Sequence, residues 1–246
     1  MATRVQFEKS NDIGVFAKLT TNYCLVSTGG SDAFYNIFES ELAPYMPVIR
    51  CSINSTRIVG RMTAGNKNGL LLPSCTTDAE KKVIQDYLPD EVEVKILKDK
   101  NSALGNCIVC NDSAALINSE LDKETEEIIQ DTLGVEVFRT NIVENPLVGT
   151  YVVISNQGGL VHPLTSAEEL EEISNLLQIP ICAGTVNTGS EVLGAGLIVN
   201  DFAAFCGMNT TSTEVYIIEN IFKLNENKSS ETKDNQFRTE MIRNLK

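Results

Sequence analysis

Five times along the chain an apolar residue is followed by glycine: Ile13-Gly14, Val59-Gly60, Leu104-Gly105, Val148-Gly149 and Leu193-Gly194, the glycines standing 46, 45, 44 and 45 residues apart. A self-similar period of about 45 residues marks a repeat architecture, in which copies of one supersecondary unit stack or close on themselves. Downstream features keep the same phase. Six to eight residues after each glycine comes an asparagine (Asn22, Asn68, Asn111, Asn156, Asn200), and a short apolar stretch follows each. Asparagine and glycine tolerate positive φ, so an Asn turn between two apolar runs predicts a β-hairpin whose first strand starts at the repeat glycine.

A helix is expected next in every unit. Thr77-x-x-Glu80, Ser166-x-x-Glu169 and Thr211-x-x-Glu214 fit the capping box, Asp122 is placed to cap the third helix, and Ser31 or Asp32 the first. Apolar residues then recur at helical spacing: Phe34, Ile37, Phe38 and Leu42 in the first unit, Val83, Ile84, Tyr87 and Leu88 in the second. Glu124, Glu127, Glu168 and Glu172 fall on opposite faces, which puts the helices on the outside. A third strand ends each of the first four units, at residues 48–53, 92–97, 135–142 and 179–186. The fifth unit has none. The segment Arg4 to Glu8, ahead of the first repeat glycine, is the candidate to supply it and close a ring without a free sheet edge. The expected fold is therefore α/β: one five-fold pseudo-symmetric α/β propeller over residues 1–224, followed by a polar tail at 225–246.

Composition narrows the function classes. The net charge of −13 and the lack of any Lys/Arg block argue against binding to a nucleic-acid backbone such as DNA, and favour basic partners. No apolar run approaches the roughly 20 residues of a membrane span, and no signal-peptide stretch opens the sequence. Seven cysteines without framework spacing read as reduced, buried small hydrophobes, and a cytosolic or nuclear location is expected.

Several segments resemble the translation initiation factor six family: residues 11–16 (Asn-Asp-Ile-Gly-Val-Phe), 60–66 (Gly-Arg-Met-Thr-Ala-Gly-Asn), 102–106, 133–139, 155–163 (Ser-Asn-Gln-Gly-Gly-Leu-Val-His-Pro), 183–187 and 194–196. The resemblance runs in order from residue 1 to about 224. It implies a propeller of the pentein type, agreeing with the repeat. It also implies a monomeric factor that binds the intersubunit face of the large ribosomal subunit, keeps the small subunit from joining, and takes part in large-subunit biogenesis in the nucleolus and cytoplasm. Release by an elongation-factor-like GTPase and its adaptor is implied with it.

Because penteins include guanidino-modifying enzymes with a Cys/His site, the alternative is such an enzyme, with His162 approached by Cys182 or Cys206. His162 is the sole histidine and reads better as a strand-end residue bonded locally. Cys107-x-x-Cys110 supplies two ligands where structural zinc needs four, so no metal, cofactor or catalytic residue is expected. The residues at the repeat glycines should instead gather at one end of the ring. There Gly14, Arg61, Asn106, Thr150, Tyr151, Val192 and Gly194 are the candidate ribosome-binding set, facing mainly basic ribosomal proteins with limited contact to rRNA. Ser174, which follows Glu168, Glu169, Glu171 and Glu172, is a candidate phosphorylation site.

Overall fold

The structure, a computed structural model, describes residues 1–225. The tail expected at 225–246 thus lies, but for Asn225, outside the described residues.

A short N-terminal strand, β1 (Ala2–Val5), precedes five units of one design. The first holds α1 (Ile13–Phe16), β2 (Ala17–Leu19), β3 (Cys24–Ser27), α2 (Asp32–Leu42) and β4 (Val48–Cys51). The second repeats it as α3 (Val59–Met62), β5 (Ala64–Gly65), β6 (Gly69–Pro73), α4 (Asp78–Tyr87) and β7 (Glu93–Leu97). In the third come α5 (Leu104–Cys107), β8 (Ile108–Cys110), β9 (Ala114–Asn118), α6 (Lys123–Leu133) and β10 (Glu136–Thr140). The fourth has α7 (Val148–Tyr151), β11 (Val152–Ile154), β12 (Gly159–Val161), α8 (Ala167–Leu177) and β13 (Ile181–Ala183). The fifth ends early, with α9 (Leu193–Gly196), β14 (Leu197–Val199), β15 (Ala204–Gly207) and α10 (Ser212–Ile221).

Each unit is a three-stranded sheet: an antiparallel hairpin whose second strand pairs in parallel with the strand that returns after the long helix. In the fifth unit β1 takes that third place, Ala2 opposite Ala204 and Val5 opposite Gly207. The closing segment thus sits two to three residues earlier than the sequence suggests. The ring closes through a parallel pairing between the two ends of the described chain, and no unit is left with a missing edge.

Five hydrophobic cores fill the seams between units. Ile129 and Leu133 of α6 pack with Ala64 and Leu71 of the preceding sheet, and Ile173 and Leu177 of α8 with Val109 and Leu116. Ile218 and Phe222 at the fifth helix meet Val153 and Leu160, while Phe34 and Phe38 of α2 meet Phe205 of the fifth unit. Every helix therefore buries its apolar stripe against the neighbouring unit, which is why no copy could hold this face dry alone. The outward faces carry exposed Glu124, Glu127, Glu168 and Glu172, as expected.

Thr77, Ser166 and Thr211 form full capping boxes, and the Ser31 hydroxyl accepts from Phe34 N, whereas Asp122 makes no side-chain cap. Val83 and Tyr87 depart from the expected buried stripe: α4 turns Ile84 and Leu88 inward and leaves those two exposed.

The start of each unit also differs. The glycine does not open a strand; it lies in a one-turn helix, and the strand follows three residues later, or four in the second unit. The turn chemistry is displaced as well. The side chains that fold the hairpin turns are Thr20, Asn66, Asn111, Ser155 and Asn200, each taking a backbone N–H two residues on. In units one, two and four these stand one or two places before the asparagines singled out in the sequence, because the acceptor must precede the N–H it satisfies.

Candidate functional site

The one-turn helices meet around the axis: α1 touches α3 and α9, α3 touches α5, α5 touches α7, and α7 touches α9. Close packing there depends on the five glycines. A Cβ on Gly14 would collide with the carbonyl oxygen of Gly194, on Gly194 with that of Gly149, on Gly149 with Gly105, on Gly105 with Gly60, and on Gly60 with Gly14. The circuit is closed, and each missing side chain makes room for the neighbour's backbone. Gly14 and Gly194, placed in the binding set by sequence, are buried members of this circuit.

Arg61 sits inside it. Its Nε donates to Gly14 O at 3.1 Å, and Nη1 donates to Gly105 O at 3.2 Å and Gly149 O at 2.8 Å. Backbone carbonyls of three different units therefore receive one guanidinium, and burial pulls its pKa down to about 10. Sequence reasoning placed Arg61 on a free rim. Its side chain points the other way, to the axis, because a rigid fork of donors is what a ring of unpaired carbonyls requires.

What the rim offers outward is the residue at the N-terminal boundary of each one-turn helix: Asp12, Ile58, Ala103, Leu147 and Val192. Ile58, Leu147 and Val192 are exposed to 39%, 37% and 40%, values unusual for large aliphatic side chains at three equivalent positions. Val192 was anticipated; Ile58 and Leu147 were not. The signal was available, since each stands two residues before a repeat glycine. Asn106 is half-buried beside this ring. Thr150 is half-buried too, its Oγ1 buried without a hydrogen-bond partner among the described residues.

Tyr151 leans inward. Its ring lies edge-on to His162 at 5.2 Å, and its hydroxyl accepts from Asn145 Nδ2 at 3.4 Å. His162 is buried, with Nε2 3.2 Å from Glu191 Oε2 and Nδ1 accepting from Leu164 N. Both ring nitrogens are thus engaged and neither by a thiol. The local bonding expected for His162 is present.

The cysteines point the same way. Cys182 Sγ donates to Ala183 O, and burial pushes the thiols of Cys24, Cys107, Cys110 and Cys206 up, and that of Cys51 up to about 12. An activated nucleophile needs the opposite shift. Among the described residues no three His, Cys, Asp or Glu side chains cluster as metal ligands. Ser174 is half-buried, and its hydroxyl donates to Ile179 O at 2.7 Å, tying the end of α8 to the chain beyond it.

The eIF-6 family model matches residues 2–221. The chain is 64% identical over 245 residues to eukaryotic translation initiation factor 6 of Tetrahymena thermophila, covering all of both chains. It is 56% identical to the protein of that name in Saccharomyces cerevisiae, over 92% of each. Among solved structures, a dimethylarginine dimethylaminohydrolase aligns over 70% of this chain and 68% of its own at 14% identity, with a TM-score of 0.46. The N-terminal domain of a cyanobacterial arginine dihydrolase aligns over the same shares at 10% identity, with a TM-score of 0.48. Likeness this distant says nothing about activity, whereas the full-length matches to translation initiation factors are decisive: the chain belongs to the eIF-6 family.

Proposed function

We propose that this translation initiation factor binds the intersubunit face of the large ribosomal subunit through the rim of its one-turn helices. Bound there, it sterically prevents premature joining of the small subunit, and it accompanies large-subunit biogenesis in nucleolus and cytoplasm. The observation that carries the reading is the trio Ile58, Leu147 and Val192, exposed at equivalent places around the axis. A patch of this kind, rimmed by polar groups and set on a rigid ring, is suited to a protein surface. The body around it carries a net charge of −13, so its partners are chiefly basic ribosomal proteins, with rRNA phosphate contact limited. Limited rRNA contact is supported by Arg61, the rim's strongest candidate for a phosphate, which turns to the axis and gives Nε and Nη1 to carbonyls there. A blocker needs no chemistry, only occupancy of an interface of about 1,200–2,000 Å² where the other subunit must dock. Its removal then requires an outside energy source, for which an elongation-factor-like GTPase and an adaptor are the proposed agents.

Purified large subunits are incubated with the chain, then sedimented over a salt series and challenged with small subunits. Stoichiometric co-sedimentation and loss of joined ribosomes are expected. Joining at the full rate on factor-saturated large subunits overturns the anti-association role.

A further inference from the structure

The interior of the ring breaks the five-fold pattern at a second place. Four residues after each repeat glycine, on the first strand of the unit, stand Lys18, Ala64, Val109, Val153 and Ile198. Four are apolar and one is a lysine. Lys18 shares an axial cavity of about 40 Å³ with Arg61, the only guanidinium at the equivalent of its own position, where the other units have Val15, Asn106, Thr150 and Ala195. The two cations come from adjacent units and face the same space.

The wall answers them only in part, through the Gly105 and Gly149 carbonyls that accept from Arg61. No carboxylate lines it. The Lys18 ammonium has no hydrogen-bond partner among the described residues, and Arg61 commits Nε and Nη1 to the glycine carbonyls while Nη2 makes no bond to them. Cys110, the nearby thiol, donates to Gly65 O at 3.3 Å, and burial pushes it up, so it stays neutral and supplies no counter-charge. Asp112 lies toward the hairpin end of the axis, where its oxygens accept from Lys67 N, Thr21 Oγ1 and Asn156 Nδ2. Both side chains are half-buried, and holding two cations around one space without a carboxylate costs free energy. Burial lowers the Lys18 pKa, Cys110 opposes that in part, and Arg61 adds to the lowering.

We propose that the hub is a binding site for one small monovalent anion, of the halide class, held between Lys18 Nζ and the Arg61 guanidinium. The space of about 40 Å³ exceeds the roughly 10–15 Å³ that one water-sized guest needs, so a small ion fits with part of its hydration kept. Toward the hairpin end a further cavity of about 30 Å³, with Asp112 and Asp201 in its lining, shares Leu19, Cys110, Ile154 and Val199 with this one. The ion would act as a structural pin, neutralising the axis that all five units share.

The test uses the full-length chain. Crystals grown without halide are soaked in sodium bromide, and anomalous scattering at the bromine edge locates the ion. In parallel, Tm is measured in sodium chloride and in sodium gluconate at equal ionic strength. A bromine peak in contact with both Lys18 and Arg61, with Tm about 2–4 °C higher in chloride, is the expected result. Lys18→Met should abolish both. If that variant does not fold, Lys18→Gln replaces it, and the wild-type measurements decide regardless. No peak at the hub and no halide effect on Tm would mean a neutral amine and overturn the site. A peak without any Tm response would be an adventitious ion only, and overturns it equally.

Discussion

Arg61 and Gly149 belong to units that are not neighbours in sequence, yet Arg61 Nη1 donates to Gly149 O at 2.8 Å across the axis. With the bonds to Gly14 O and Gly105 O, this makes one side chain of the second unit a fastener for the first, third and fourth.

Replacing Arg61 should therefore damage stability before it damages any surface. Arg61→Leu leaves three carbonyls without their donor, at about 1–3 kcal/mol for a buried group left unpaired. Arg61→Glu sets a carboxylate against the same oxygens and should cost more. For a chain of this size the leucine variant's Tm should fall by at least about 3 °C. Calorimetry showing an unchanged Tm for both would mean the guanidinium is not fastening the ring.

The outward rim should behave in the opposite way. Val192→Asp and Leu147→Asp alter side chains already exposed to 40% and 37%, so stability should change by no more than a surface substitution allows, about 0.5 kcal/mol. Binding to the large subunit should weaken at least tenfold in each, and further in the double variant, since a carboxylate is buried at the interface without a partner. Asn106→Arg belongs to the same class. Tyr151→Ala does not: it removes the ring packed on His162, so any loss of binding there would be mixed with a loss of stability. Unaltered sedimentation of the double variant would remove this rim from the interface.

These two groups of residues show what the sequence could and could not reveal. The five glycines, the capping boxes at Thr77, Ser166 and Thr211, and the presence of a third strand in the first four units follow from local chemistry and were legible, whereas its parallel pairing was not. The circuit in which Gly14 abuts Gly194 is a long-range fact, invisible as a strand or helix signal, and the glycine was misread as the start of a strand. Arg61 looked like an interface residue because an exposed arginine and an axial one have the same local sequence. Lys18 escaped notice for a related reason. A lysine within the first strand reads as its solvated side, although aligned with Ala64, Val109, Val153 and Ile198 it stands at an apolar, inward position.

Acid should loosen the turns that lead into the second and fifth one-turn helices. Burial works against the Glu80 carboxylate, but the N–H groups of Ser55 and Thr77 and the hydroxyls of Ser52 and Thr77 outweigh it and hold its pKa at about 2. Glu214 is treated alike: burial opposes it, and Thr211 N, Gly189 N and the hydroxyls of Thr185 and Thr211 bring it to about 2. A carboxylate whose folded pKa is depressed contributes stability above its unfolded pKa, and loses it as pH falls toward the folded value. The window therefore opens just below the ordinary value of 4.5 and runs to about 2. Glu80 is half-buried and Glu214 is buried at 7% exposure, so solvent screening reduces the contribution of Glu80 more than that of Glu214. Glu80→Gln and Glu214→Gln should lower stability at pH 7 by roughly a helix cap's worth, about 1 kcal/mol each. They should also flatten the fall in denaturation midpoint between pH 4.5 and 2. A wild-type slope retained in the double variant would show that other carboxylates govern acid unfolding.

Removing residues 1–8 tests the closure of the ring. Val5 and Phe7 are both buried to within 2% of complete, Phe7 stacks on Phe16 at 4.1 Å between centroids and meets Phe34 edge-on at 5.0 Å, and Ala2 N donates to Glu219 Oε1. Two fully buried apolar side chains alone represent about 3–6 kcal/mol, a large part of what holds a domain folded. The deletion also bares β15 as an unpaired edge, with every N–H and C=O that faced β1 seeking a partner. The truncated chain should lose cooperative unfolding or associate through that edge, and hydrogen exchange should be fastest in β15 and α10. Supplying a peptide of residues 1–8 in trans should restore protection at Ala204 to Gly207, because a parallel register is already set by the neighbouring strands. A truncated monomer with wild-type Tm would show that the fifth unit is stable without its third strand, and the ring would have to be held at the axis by the glycine circuit and Arg61 alone.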